Sequence, residues 1–359
     1  MKLLYVSSVD QRVRAGYYYA VMDRIDAIRG MEGIELICVN YSSVKESSSF
    51  EYNIYKPFFL FQRYVFSYLE NYYLYIKMLT VLRETKPEVV HVHWCYPIGL
   101  AVVKACNDLG IKCVMTAHGS DIHSNPAKSS YIRKCTIEAL VYSDLVLFVS
   151  SSLRDYAVEK FELSSAKNYF VAPNFLDESA YKKVLTATLG RRKTVVFVGN
   201  LNQTKGADRI ATIFEGIKEC SGYEFRFIVA GDGLFRKSLD STGYIETLGH
   251  IDRAGARSII NEADLVVVPS RSEGFGLVPL ESFMLETPCV AFSIDGLKDV
   301  FLGNEGLLAA DGDIDDFVRL CVKVLNGELL AITKRYPKDY GLQSVMGKEM
   351  SHYARLICH

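Results

Sequence analysis

Two polar loops and two histidine-bearing strand ends hold the chemistry that this sequence can offer. Gly199-Asn200-Leu201-Asn202-Gln203-Thr204-Lys205-Gly206 follows the apolar run 194–198 and leads into a helix predicted from about Ala207. A lysine at a helix entry adds a full charge where unbonded backbone N–H groups already favour anions, so the loop suits a phosphate; the plainer alternative is a βα loop with an exposed lysine. The order Lys205-Gly206 reverses the Gly-Lys-Ser/Thr with which a nucleotide P-loop holds Mg²⁺.

The second loop, Pro269-Ser270-Arg271-Ser272-Glu273-Gly274-Phe275-Gly276-Leu277-Val278-Pro279-Leu280-Glu281, follows the apolar run 265–268. Proline is tolerated in the first turn of a helix, so Pro279 predicts a helix start close to Gly276 and leaves the amides of Phe275, Gly276 and Leu277 at its N-terminus. Two carboxylates, Glu273 before the helix and Glu281 inside it, are thereby gathered near an anion-seeking helix end. A carboxylate accepts paired hydrogen bonds from vicinal diols, the recognition problem set by ribose and pyranose rings. Otherwise Glu281 is a charge well placed on the helix dipole and Glu273 a solvated loop charge.

His91-Val92-His93 closes one strand and Thr116-Ala117-His118-Gly119-Ser120-Asp121 follows another. His91 and His93 share a strand face, which admits a metal pair or, more simply, a hydrogen-bonded structural feature. His118, before a glycine at a strand's carboxyl end, is placed to meet a ligand opposite Glu273. The first turn carries Arg12, Arg14, Ala15 and Gly16, with charge for a diphosphate but no GxGxxG; neither that turn nor Gly231-Asp232-Gly233 supports a dinucleotide oxidoreductase.

These motifs need elements to position them. Apolar runs at 3–6, 34–40, 88–93, 113–116 and 145–150, then 194–198, 225–230, 245–248, 265–268 and 289–292, alternate with helical segments. That is the rhythm of parallel sheets covered on both faces, here in two series. Ala172-Pro173-Asn174 ends the first series, and a polar stretch running to Gly190-Arg191-Arg192-Lys193 reads as the hinge, which places the boundary near residue 185. The expected domains are 1–185, 186–340 and a last helix over 341–359 that crosses back. Residues 58–82 form an aromatic helix on which Lys56, Arg63, Glu70 and Lys77 recur as one polar stripe. It reads as a helix buried on most sides, or as exposed Tyr and Phe that touch lipid or an aromatic-seeking acceptor.

Composition bounds the function. The chain has 359 residues, 41 Lys+Arg against 42 Asp+Glu, 49% hydrophobic and 23% charged residues. The charge balance argues against a dedicated nucleic-acid binder, and the apolar content against a disordered chain. Nine cysteines without CxxC spacing, several inside apolar runs, suggest a reducing compartment. No stretch reaches the roughly 18–20 apolar residues needed to span a bilayer. The expected location is cytoplasmic, with peripheral attachment to the inner face of the membrane left open.

Taken together, the residues resemble the GT-B retaining glycosyltransferases, specifically glycosyltransferase family 4. The resemblance rests on His91-x-His93, Thr116 to Gly119, Val171-Ala172-Pro173-Asn174, the Gly199–Gly206 loop, Ala230-Gly231-Asp232-Gly233, Leu248-Gly249-His250 and, most specifically, a Glu-x7-Glu pattern from Glu273 to Glu281. It implies an α/β fold of two Rossmann-like doubly wound domains facing a central cleft. The first would bind a carbohydrate or lipid-linked glycan acceptor, the second a UDP- or GDP-type nucleotide-sugar donor. His118, Lys205 and Glu273 would then be the catalytic residues. The donor would meet Gly16, Asn200, Lys205, Gly231, His250, Glu273, Gly274, Phe275, Gly276, Leu277 and Glu281; Arg12, Arg14 and Asp121 are acceptor candidates. Neither a metal nor a cofactor is implied, and no nucleic acid; a membrane surface is a further candidate partner.

Asn200 stands where similar proteins carry arginine, so Lys205 would act with Arg271, Arg12 or Arg14. Phe175-Leu176-Asp177 replaces the usual Gly-Val-Asp, and Ala15-Gly16 the usual glycine pair. The activity implied is a retaining, metal-independent hexosyltransferase reaction in cell-surface polysaccharide assembly. The rivals are a nucleotide-sugar epimerase, which needs no acceptor, and a degenerate glycosyltransferase-like binding subunit.

Overall fold

A computed structural model of the chain describes residues 1–10, 16–42, 50–56, 67–164, 168–184, 192–331 and 336–358. Arg12, Arg14 and Ala15, the 58–66 portion of the aromatic helix and Gly190-Arg191 of the expected hinge lie outside them. The chain divides into two compact units, one of Met1–Phe175 with Leu342–His359, the other of Leu176–Gly341. The first unit therefore ends at Phe175, upstream of residue 185, and the final helix belongs to it.

In the first unit β1 (Lys2–Ser7), α1 (Gly16–Arg29), β2 (Glu35–Ser42), β3 (Tyr52–Tyr55), α2 (Ser67–Thr85), β4 (Val89–His93), α3 (Leu100–Leu109), β5 (Lys112–Ala117), α4 (Ser130–Tyr142), β6 (Leu145–Phe148), α5 (Ser151–Lys160) and β7 (Tyr169–Val171) alternate strand and helix. The parallel sheet has the order β3-β2-β1-β4-β5-β6-β7. Every residue of β4 and β6 is buried, because helices cover both faces. The strand Tyr52–Tyr55 is one the sequence pattern did not announce; at the sheet edge it has only a four-residue polar-aromatic register to offer.

The second unit repeats the plan with β8 (Lys193–Val198), α6 (Ile210–Cys220), β9 (Phe225–Ala230), α7 (Arg236–Asp240), β10 (Ile245–Gly249), α8 (Arg253–Glu262), β11 (Leu265–Val268), α9 (Leu277–Met284), β12 (Cys289–Phe292), β13 (Leu308–Ala309), α10 (Ile314–Leu325) and α11 (Tyr336–Tyr340). Its order is β10-β9-β8-β11-β12-β13. In both sheets the order reverses between the first strand and the fourth, β1 and β4 in one, β8 and β11 in the other. In such sheets the loops beyond the carboxyl ends at that reversal form the ligand crevice.

A buried ion pair ties the last helix, Leu342–Ile357, into the first unit. Arg24 of α1 and Glu349 are both about 1% exposed, with Nε 3.2 Å from Oε2. Arg24 also donates to the backbone oxygens of Ala20, Ala172 and Pro173 and to Asn174 Oδ1, at 3.1, 3.4, 2.8 and 3.1 Å. Its five donors thus find acceptors on three segments, as burial of a guanidinium requires.

The described part of the aromatic helix corrects the expected orientation. Glu70 of the polar stripe points inward, accepting from Tyr41 at 2.5 Å and pairing with Lys56 at 3.1 Å. Tyr68, Tyr72 and Ile76 are exposed instead, so α2 is not buried on most sides. No helix among the described residues is long and apolar enough to cross a membrane.

Candidate donor and histidine sites

In the second unit the two loops at the β8/β11 reversal meet. Lys205 Nζ donates to Oε1 and Oε2 of Glu273, at 2.7 Å each, and Glu273 Oε1 also accepts from Ser270 Oγ at 2.9 Å. Asn202 Oδ1 holds the Lys205 amide at 2.9 Å. The loop can lie this close because Gly206 has φ +70° and a Cβ there would stand 1.9 Å from the Pro269 carbonyl oxygen. Only glycine satisfies both conditions. The expected helix entry near Ala207 is a short turn, Ala207–Arg209, before α6.

Helix α9 begins at Leu277, with Gly276 at φ +94° before it and, among the described residues, no side chain capping its N-terminus. Its first-turn amides have no intrahelical acceptor and retain the capacity to bind an anion. Phe275 is buried against Tyr340, ring centroids 5.6 Å apart, which anchors the loop below those amides. Glu281, 8% exposed, accepts from Tyr181 Oη at 2.8 Å and lies 3.5 Å from Arg253 Nε. It is held by side chains from two other segments rather than resting on the helix dipole alone. Tyr181, which sequence reasoning missed, also accepts from Arg253 Nε at 3.0 Å, while Arg257 lies over its ring at 5.5 Å. No sequence signal marks it, since the contact joins residues 100 apart.

Three expectations need correction or qualification. Arg271 is not a spare cation beside Lys205: it makes a bidentate pair with Asp208, 2.6 Å on each arm, and a further bond to the Gln203 carbonyl. That guanidinium holds the Asp208 carboxyl below the usual carboxylate range. Gly231 has its donor-side expectation, but its evident task is packing, since a Cβ would fall 1.8 Å from the Gly199 carbonyl oxygen. Asn200 and His250 are exposed, and Gly274 is half-buried in the loop before α9.

In the first unit Gly16 is the opening residue of α1. Asp121 is corrected as an acceptor ligand: fully buried, it accepts from the amides of His118, Gly119 and Cys95 at 3.0, 2.9 and 3.3 Å. Burial pushes its carboxyl up, against the pull of those amides. Its neighbours at two and three residues' distance are the sequence signal that could have identified an Asx-type loop clamp.

The histidines form a chain. Tyr353 Oη donates to Glu349 Oε1 at 2.7 Å, so at 2.5 Å from His91 Nδ1 its oxygen accepts, which puts the His91 proton on Nδ1. His91 Nε2 accepts from Thr116 Oγ1 at 2.7 Å. His91 stacks on His93, centroids 4.4 Å apart, and His93 Nδ1 lies 2.7 Å from His118 Nε2. His93 Nε2 is buried without a hydrogen-bond partner among the described residues. A bare lone pair costs less there than a bare N–H, so His93 carries its proton on Nδ1, donates to His118 Nε2, and leaves the His118 proton on Nδ1. Burial lowers all three rings, His91 to about 4 and the other two well below the usual imidazole range. The pair is thus a hydrogen-bonded structural feature.

Comparison with known proteins follows this division. Over 335 residues the chain is 27% identical to an uncharacterized glycosyltransferase of Methanocaldococcus jannaschii, covering 89% of this chain and 90% of that one. It is 27% identical over 274 residues to the N-acetyl-alpha-D-glucosaminyl L-malate synthase of Bacillus anthracis, covering 71% and 69%. The lipopolysaccharide outer core galactosyltransferase WaaB superposes with a TM-score of 0.74 at 17% identity over 99% of both chains, which establishes the GT-B fold. Residues 32–180 match the model of glycosyltransferase family 4 and residues 192–327 that of the group 1 glycosyl transferases. With both Rossmann-like units matched in order, the chain belongs to the group 1 glycosyltransferases of family 4.

Proposed function

We propose that this glycosyltransferase moves a sugar, with retention of configuration, from a nucleoside-diphosphate sugar to a hydroxyl of a glycan or lipid-linked acceptor in cell-surface polysaccharide assembly. The observation that carries the donor assignment is the Lys205–Glu273 pair beside the uncapped start of α9. Each partner neutralises the other until a donor supplies better ones. The diphosphate then takes Lys205 and the α9 amides, and the sugar hydroxyls take the released Glu273 carboxylate. Glu281, fixed by Tyr181, accepts from the ribose hydroxyls.

In the step itself the acceptor oxygen bonds to the anomeric carbon on the face from which the C–O bond to phosphate breaks. The electron pair leaves with the nucleoside diphosphate, and a phosphate oxygen takes the acceptor proton. Lys205 and the helix end stabilise the charge that develops on the leaving group, the role a metal ion has in other transferases. His118, a neutral ring with its proton on Nδ1, offers one donor to a sugar hydroxyl. Support for transfer of a sugar to an acceptor comes from the name of the malate synthase, whose product joins an N-acetyl-alpha-D-glucosaminyl group to L-malate.

The test is a thermal-shift panel of UDP-, GDP-, CMP- and ADP-sugars with Mg²⁺ and with chelator, repeated on Glu281→Ala. A ligand that binds only the native state raises its apparent stability in proportion to affinity. A shift with one nucleotide family, unaffected by chelator and lost in Glu281→Ala, is expected. Shifts that need Mg²⁺ would remove the metal-independent reading, and no shift with any sugar would remove the donor site.

A further inference from the structure

Helix α2 turns tyrosines outward that the core does not need. Tyr68 and Tyr72 are 67% and 57% exposed, as is Tyr142 of α4 at 51%. Between these helices, across α3, lies a groove of about 580 Å³ whose walls include Tyr68, Tyr72, Tyr75, Tyr131 and Tyr142. Its size falls in the range of small-ligand sites, and its walls belong to helices rather than to the strand-end loops that carry His118.

The polar groups of the groove are held by fixed partners. Lys104 Nζ lies 3.1 Å from Glu138 Oε2, and Tyr75 Oη donates to Asp108 Oδ2 at 2.5 Å. Asn71 and Asn107 donate to the carbonyls of Pro97 and Tyr142, at 3.1 and 3.4 Å, which leaves their own side-chain oxygens as acceptors. Among the described residues the lining holds one cation, Lys104, against two carboxylates, Asp108 and Glu138, so these offer no surplus positive charge to a phosphate or an acidic lipid headgroup. What it offers is flat apolar ring faces beside oriented hydrogen-bond acceptors. An uncharged ligand with apolar C–H faces and many hydroxyls meets both demands.

We propose that this groove is a carbohydrate-binding site that holds neutral sugar residues of a glycan chain. Pyranose faces lie on the tyrosine rings and hydroxyls donate to Asp108, Glu138 and the asparagine oxygens. The proposal rests on the glycan-acceptor reading above, but its residues all lie in the first unit, whereas Lys205, Glu273 and Glu281 lie in the second.

The test titrates the full-length protein with maltohexaose, cellohexaose, xylohexaose and mannohexaose, each followed by calorimetry. At least one binds with a millimolar or tighter constant, and Tyr72→Ala and Tyr142→Ala each weaken it about threefold to tenfold, the effect of losing one ring face. Both side chains are exposed, so melting temperature and the nucleotide-sugar shift stay at the wild-type value. Lys205→Ala loses the nucleotide shift and keeps oligosaccharide binding. No binding of any of the four sugars, or binding unchanged in both tyrosine variants, overturns the proposal. So does Tyr72-dependent co-sedimentation with phosphatidylglycerol vesicles, which assigns the face to a membrane, or a Tyr72-dependent dimer in sedimentation velocity, which assigns it to a second copy. Oligosaccharide binding without any nucleotide-sugar shift would instead defeat the donor reading and leave the groove standing.

Discussion

Lys205 Nζ stands 2.7 Å from both carboxylate oxygens of Glu273, so the cation and the anion of the candidate donor site satisfy each other before any ligand arrives. They come from loops after β8 and β11, strands adjacent only because the sheet order reverses between them. The topology, more than either loop, makes the pair.

Lys205→Met is expected to leave the melting temperature almost unchanged, because a partly exposed pair contributes roughly 0–1 kcal/mol. Transfer should fall far more, about 10²–10³-fold in kcat, as for other lost leaving-group stabilisers. Steady-state kinetics beside a thermal melt checks this; near-wild-type turnover would take Lys205 out of the site.

Tyr181→Phe removes the hydroxyl that fixes Glu281 and bonds Arg253. Hydrogen bonds to charged groups contribute about 1.5–3 kcal/mol, so denaturant unfolding should show a loss of that order. Nucleotide-sugar affinity should fall with it, since Glu281 is then free to rotate. A variant with unaltered affinity would show that Glu281 is oriented by Arg253 alone.

Glu349→Ala leaves Arg24 charged and buried without its carboxylate. The expected cost is about 3–5 kcal/mol, with much of it recovered in Arg24→Met/Glu349→Leu, which removes both charges together. Equilibrium unfolding of the three proteins decides it, and a double variant no better than the single one would mean that Arg24 is held mainly by Pro173 and Asn174.

Burial lowers the His91 imidazole to about 4 and sets His93 and His118 well below the ordinary value. The unfolded chain therefore binds more protons than the native one below about pH 6.5, and stability falls as pH drops from there towards 4. Glu349 adds to the loss at the acid end. Burial alone would raise its carboxyl, but Arg24, His91 and the Tyr353 hydroxyl together hold it below the usual range. Unfolding free energy measured between pH 7 and 5 should fall with a slope of about two to three protons; a flat profile would show that the rings are solvated.

Much of this was legible in the sequence. The strand rhythm located ten strands, Pro279 located the start of α9 within a residue, and the Glu-x7-Glu spacing singled out two carboxylates that the fold holds in one unit. Periodicity reports only which way a residue points on its own element, so contacts made across the chain were lost. Tyr181 to Glu281, Arg24 to Glu349 and the burial of Glu70 under Tyr41 all belong to that class. The pairing of Arg271 with Asp208, 63 residues apart in the chain, was hidden for the same reason. Family resemblance named positions but not the chemistry that this chain adds around them.

Arg24 and its carboxylate are separated by 325 residues, with the whole second unit encoded between them. During synthesis the ribosome therefore delivers every strand of both sheets before it delivers the helix that neutralises Arg24. The second unit is the first stretch able to close with all of its own sequence in hand, reversing the usual N-terminal-first order of domain maturation. Until residue 349 emerges, the first unit holds either an uncompensated charge in its core or an incompletely packed α1.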